Sequence, residues 1–128
     1  MISTDAFSFV NVLDRAADAS WKRNEVIANN IANVDTPGFK RSDVNFEQYL
    51  AAELTGTDTL SKKIKAVDLQ NLESTTYLDH AHLSYRKDGN NVDIDTEEAN
   101  LADNQLKYYA LLDAMTQEFS RMRYVLQK

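Results

Sequence analysis

Asn29-Asn30-Ile31-Ala32-Asn33-Val34-Asp35-Thr36-Pro37-Gly38-Phe39-Lys40-Arg41 ends a helical pattern that runs unbroken from about Thr4. Proline lacks the backbone donor that a continuing helix needs, and it turns the residue before it, Thr36, away from helical angles. Glycine accepts positive φ, so Thr36-Pro37-Gly38-Phe39 reads as a tight turn with Pro37 at its second position and Gly38 at its third. The turn holds the only proline of the chain and one of its three glycines. A long helix is thus stopped at a defined place, with Asn29, Asn30 and Asn33 crowding its last turns. Taken alone, such a stretch is an ordinary helix end followed by a loop.

Upstream, Thr4 or Asp5 can cap the helix. Ala6, Val10, Leu13, Ala17, Ser20, Asn24, Ile27, Ile31 and Val34 follow one another at alternating steps of four and three, the spacing of a coiled-coil seam. Phe7, Phe9, Val12 and Trp21 fall beside that seam and make a second apolar face. A helix of about 30 residues is about 45 Å long. Downstream, Phe39 to Asn45 reads as extended and Phe46 to Leu54 as a short helix stopped near Gly56. Residues 57–80 carry no strong period and read as a loosely structured connector. His82-Leu83-Ser84-Tyr85-Arg86 and Val92-Asp93-Ile94 alternate polar and apolar around Lys87-Asp88-Gly89-Asn90-Asn91, the pattern of a β-hairpin.

A last helix opens at Asp95, with Glu98 placed as a capping-box partner. Its acids crowd the first turn and its bases the last, as the helix dipole favours. Its seam reads Leu101, Gln105, Tyr108, Leu112, Met115, Phe119, Met122 and Leu126, with Ala99, Ala102, Leu106 and Tyr109 as a second stripe. Two helices cannot bury four apolar stripes against each other. Either a partner covers the remainder or the middle segment folds back over it. Asn24 and Gln105, polar within apolar seams, suit a role in fixing register.

Composition narrows the function. The chain has 128 residues, a net charge of −6 and no cysteine. The acidic balance gives no support to a nucleic-acid partner, and Lys62, Lys63 and Lys65 read as a solvated face. No apolar run approaches the roughly 20 residues of a membrane span, and the first residues lack a cleaved leader's basic start and apolar core. His80 and His82 with Asp79 resemble half a metal site without a third ligand. The acids Asp93, Asp95, Glu97 and Glu98 lack the glycine and spacing of a calcium loop. No catalytic triad, phosphate loop or paired carboxylate emerges, so neither an enzyme nor a cofactor, metal or small-molecule substrate is expected.

The opening stretch, Asn-Asn-Ile-Ala-Asn-Val-Asp-Thr-Pro-Gly-Phe-Lys, resembles the N-terminal signature of the bacterial flagellar basal-body rod and hook family, its proximal rod members in particular. Asp88-Gly89-Asn90-Asn91-Val92-Asp93-Ile94-Asp95, followed by Ala102-Asp103-Asn104-Gln105-Leu106-Lys107-Tyr108-Tyr109, carries the likeness into the C-terminal part. It covers roughly residues 1–50 and 82–128, with Val34 standing where Ala is common and Phe39 where Tyr is common. The resemblance implies a structural subunit of the proximal rod, in the periplasmic space of the basal body. Such a subunit is exported by the flagellar type III apparatus without a cleaved signal peptide, and it assembles helically through its terminal helices to transmit torque. The resemblance also implies terminal helices that tend to be disordered in the free subunit and to fold on incorporation. Implied partners are the chain itself, other rod proteins, and the rod-base adaptor near the membrane ring and export gate.

The expected fold is mainly α. Residues 1–36 and 95–128 form long helices paired as an antiparallel coiled coil, and residues 37–94 hold the turn, a short helix, an irregular middle segment and a short β-hairpin. Asn29, Asn30, Asn33, Asp35, Thr36, Pro37, Gly38 and Phe39 are the expected signature turn at a subunit interface, with the asparagines bonding across subunits or bracing the turn. Val10, Leu13, Ile27 and Ile31 are expected to pack against Leu112, Met115, Phe119 and Met122. A rival reading with the same apolar face is a soluble helical adaptor or export chaperone serving one partner.

Overall fold

Helix α1 spans Thr4–Ala32 in the computed structural model, which describes residues 4–80 and 86–127. Its end is set by local bonds. The Asn33 amide donates to the carbonyls of both Asn29 and Asn30, and Thr36 N donates to Asn33 O at 3.0 Å, so the helix tightens and unwinds. Phe39 N then donates to Thr36 O, and Gly38 has φ +73°, which is the turn that Pro37-Gly38 predicts. The chain continues as strand β1 (Ser42–Asn45), α2 (Glu47–Glu53), α3 (Leu60–Ala66), strand β2 (Thr75–Leu78) and α4 (Ile94–Leu126).

Helices α1 and α4 lie side by side and antiparallel. Asn30 meets Glu97, Asn24 and the Ser20 carbonyl meet Asn104, and the Trp21 ring lies 5.8 Å from that of Tyr108. From α1, Val10, Ala17, Ser20 and Ile27 are buried, with Leu13, Asn24 and Ile31 half-buried. The predicted α4 seam divides by exposure. Leu101, Tyr108 and Met115 are half-buried and Met122 is buried, but Gln105, Leu112, Phe119 and Leu126 are exposed. Asn104, Leu111 and Glu118 take the intervening places. Adjacent leucines at 111 and 112 make both phases plausible by pattern. Leu111 packs on the core, and the Asn104 amide reaching Ser20 O at 2.7 Å fixes the phase. Antiparallel register also puts Ile27 beside Asn100 and Asn104, and so away from Leu112–Met122.

The middle segment is better ordered than its pattern suggests. Val12, Ala16 and Ala19, on the second face of α1, form a core with Phe46, Ile64 and Leu72, ringed by Phe9, Leu50, Leu54, Val67, Leu69 and Leu111. The middle therefore does fold back over one α1 stripe, and residues 57–80 contain α3 and β2, more than the loosely structured connector expected. Strand β1 pairs antiparallel with β2, placing Ser42 opposite Leu78 and Asn45 opposite Thr75. The predicted hairpin is corrected as well. Val92 is buried outside any strand and Ile94 opens α4, while residues 81–85 of the other arm lie outside the described residues. The cap is Asp93, whose carboxylate accepts from Asp95 N and Thr96 Oγ1, so the helix starts ahead of the predicted Asp95. The Asp88–Asn91 loop has a different role.

Candidate subunit interface

Two loops meet at the signature turn. Asn90 is wholly buried, and its amide nitrogen donates to the carbonyls of Asn33, Val34 and Thr36 at 2.8, 3.0 and 2.8 Å. Its Oδ1 accepts from Val92 N, which keeps the loop folded around it. One side chain thus adds a second donor to three carbonyls just past the end of α1, which Thr36 N, Arg86 and Phe39 N also reach. Gly38 N donates to Asp88 O at 2.8 Å, Asn91 N to Phe39 O, and Arg86 to Val34 O. The Lys40 ammonium caps the Gly89 carbonyl. Asn33 bonds locally, donating to Asn29 O and accepting from the Thr36 hydroxyl.

On this base the named turn residues divide. Asn29, Asp35, Thr36, Pro37 and Gly38 are exposed, Asn33 and Phe39 are half-buried, and Asn30 has no exposed surface. Asn30 exchanges bonds with both backbone groups of Ser42 and donates to Glu97, joining α1, β1 and α4.

Beneath the turn runs a chain of charges that the sequence reading did not single out. Arg41 donates to Glu97 and Asp79 and lies 3.6 Å from Asp43. Burial opposes its charge, but the bonds to Glu97 and Asp79 outweigh that and raise the guanidinium above its usual value. Arg23 grips Glu47 through two nitrogens at 2.7 Å and also meets Asp43, and Lys107 reaches Glu47 from α4. The Arg23 bond, helped by Lys107 and working against burial, holds the Glu47 carboxyl far below the usual carboxylate range. Arg23 is raised in turn, chiefly by its bond to Glu47. Only the Glu crowding at the start of α4 hinted at this network. Arg41 and Glu97 are 56 positions apart, and no spacing rule joins them.

The chemistry available is cohesive. Among the described residues no set of three His, Cys, Asp or Glu gathers to hold a metal ion, and His80 is exposed; His82 lies outside them. The cleft between Arg23, Asp43, Asp103, Asn104 and Lys107 is lined by charges of both signs. No helix of the described residues is long and apolar enough to cross a membrane. The apolar residues of α4 left uncovered are different in character. Leu106, Tyr109, Leu112, Phe119, Val125 and Leu126 are exposed, as are Phe7 and Trp21 on α1. Phe119 is 52% exposed, far more than a core phenylalanine would be.

A pair of long helices pinned by polar side chains, with bare apolar stripes, defines a structural subunit built to be packed among others. Comparison with known proteins gives it a family. The family model for flagella basal body rod proteins matches residues 11–40, which include the signature turn. The flagellar basal body rod protein FlgB of Bacillus subtilis is 35% identical over 115 residues, covering 89% of both chains. The FlgB protein of Borreliella burgdorferi is 33% identical, covering 92% of this chain and all of its own length. That of Escherichia coli is 35% identical, covering 83% of each. The chain belongs to the FlgB family of flagellar basal body rod proteins, and is a structural subunit of the basal body.

Proposed function

We propose that the chain builds the proximal part of the rod as a non-enzymatic subunit, exported by the type III apparatus and added helically to transmit torque. The observation that carries this reading is the outer α4 stripe of Leu112, Phe119 and Leu126, at steps of seven residues, all exposed. Together with Tyr109 it is an apolar row on the flank of α4, next to the Met115 and Met122 positions that face α1. A heptad row of this kind suits packing against helices of neighbouring subunits, and coiled-coil pairing then involves a second, adjoining stripe of α4. The exposed turn residues Asn29, Asp35, Thr36 and Pro37 act as the adjoining interface, while Asn30 and Asn90 brace it from within. Val10, Leu13, Ile27, Ile31, Met115 and Met122 form the seam inside the subunit. Partners on this reading are further copies, other rod proteins, and the adaptor at the rod base.

Phe119→Ser tests it. The purified variant should melt within about 0.5 kcal/mol of the parent, as surface changes do, while a strain carrying it fails to complete basal bodies and does not swim. Normal basal bodies in that strain would refute the assembly role of the stripe. An adaptor serving one partner would instead leave rods complete whenever that partner is supplied independently.

A further inference from the structure

Strand β2 forms the rim of its two-stranded sheet, and the rim is open. On β1 the outer backbone groups are all occupied. Asn30 holds both N–H and C=O of Ser42, the Asp43 carboxylate accepts from Val44 N, and Arg23 donates to Val44 O at 2.6 Å. With Ser42 and Val44 thus facing outward, Asp43 and Asn45 face β2, where they sit opposite Tyr77 and Thr75. Asp79 N donating to Arg41 O at 2.9 Å continues the same alternation. The N–H and C=O of Thr76 and Leu78 therefore point away from the sheet, and no hydrogen bond of theirs exists among the described residues.

Exposed edges are normally guarded by shortness, a lysine, a proline or a bulge. Apart from its length of four residues, Thr75-Thr76-Tyr77-Leu78 has none of these. Its side chains add apolar surface instead, with Tyr77 47% and Leu78 56% exposed. Free donors and acceptors two residues apart along an extended backbone match another extended backbone, and no other ligand chemistry meets them in that spacing. Exposed Glu73, two residues ahead of the strand, sets a negative charge beside the edge, so an acidic strand is disfavoured. A second copy pairing β2 with β2 would close a two-fold dimer, a dead end for a subunit that must add in sequence to a rod.

We infer that the outer edge of β2 is a docking edge on which a neutral or basic extended strand of a neighbouring rod component continues the sheet. This rests on the chain being a rod subunit, and the stripe variant Phe119→Ser separates the two ideas. Thr76→Pro is the test, because it deletes only the outward donor and leaves the ladder donors of Thr75 and Tyr77 in place. The purified variant should keep the parent's circular dichroism and melting. Expressed in a strain lacking the parent, it should lower completed basal bodies at least tenfold, whereas Thr76→Val should assemble and swim normally. A photo-crosslinking amino acid at position 78 in assembled basal bodies should join a short extended segment of a different chain, mapped by mass spectrometry. Should proline unfold the subunit, Leu78→Lys guards the same edge from an exposed position and must give the same loss. Wild-type numbers of basal bodies with either edge variant overturn the inference, as does a crosslink to Thr75–Leu78 of a second copy or to a helix. Normal assembly of the edge variants beside failure of Phe119→Ser would remove the edge and leave the rod assignment standing.

Discussion

Replacing Asn90 by alanine tests whether the signature turn is held from behind. The native carboxamide has two hydrogens for three carbonyls, those of Asn33, Val34 and Thr36, and its oxygen receives Val92 N at 2.8 Å. Alanine removes all of these. The Thr36 side of the turn is exposed, so water can take over part of the carbonyl bonding. The Val92 amide belongs to a residue only 4% exposed and loses its acceptor in a nearly dry place. At about 1 kcal/mol for each bond exchanged, and about 1–3 kcal/mol for a buried group left unmet, the loss sums to about 3–5 kcal/mol. That is a large part of the stability of a small domain, about 5–15 kcal/mol. Asn33→Ala, which removes only local bonds on the half-exposed side, should cost about 1 kcal/mol. Urea unfolding followed at the helical circular dichroism band gives both numbers, with the midpoint falling and the slope unchanged. Asn90→Asp should be worse than alanine at neutral pH, since it sets a carboxylate against three carbonyl oxygens. An Asn90→Ala loss no larger than that of Asn33→Ala would refute the reasoning.

Three further outcomes follow from the buried polar groups. Arg41→Met strands Glu97 and Asp79, which are 1% and 9% exposed, and should destabilise by about 3–5 kcal/mol; Arg41→Met with Glu97→Gln should lose less than the two singles summed, measured as a double-mutant cycle. Glu47 has a folded pKa depressed below its ordinary 4.5, so its contribution is present above that pH and is lost as pH falls through the folded value. A pH series of urea melts should therefore decline below about pH 4.5, and Glu47→Gln should flatten that part of the decline. Asn104→Leu removes the unpartnered buried Oδ1 but also the bonds from Nδ2 to Ser20 O and Asn24 Oδ1; the two effects oppose, and the unfolding free energy should change by no more than about 1 kcal/mol. The same variant should broaden amide resonances along α4, because the bond that selects Leu111 over Leu112 is gone.

The two long helices were legible because a period of 3.6 residues repeated over 29 and 33 residues leaves little room for another reading. The tight turn at Pro37-Gly38 was legible because backbone chemistry there admits few alternatives, but α1 stops at Ala32, ahead of the expected residue 36, where Asn33 N bonds Asn29 and Asn30. The α4 phase was only half legible: Leu101, Tyr108, Met115 and Met122 were placed, but the choice between 104/111/118 and 105/112/119 hangs on a hydrogen bond to a residue 84 positions away. The middle failed for a related reason. Strand β2 has the β-favouring Thr-Thr-Tyr-Leu composition, yet its partner is β1, across α2 and α3, and four residues are too few to signal a period. Asp88-Gly89 looked like a hairpin turn because Asp-Gly is one locally. Its loop docks on the signature turn instead, through the buried Asn90.

The polar pins cluster at one end of the helix pair, and the bare apolar residues run from its middle to the other end; that division has a physical sense. Asn30, Arg41, Asn90, Glu97 and Asn104 cluster where α1 ends and α4 begins, each directional and each costly to misplace. Phe7 on α1, and Phe119, Tyr124, Val125 and Leu126 on α4, lie where the chain begins and ends, and all are exposed. Apolar contact is tolerant of small shifts in distance and angle, whereas a buried amide or guanidinium is not. A subunit that must seat against neighbours needs one end whose geometry is already fixed and another that can adapt on contact. Reversing the two would put exposed hydrogen-bonding groups, readily satisfied by water, where lateral cohesion is needed. It would also leave the turn to be positioned by contacts that cannot distinguish one register from the next.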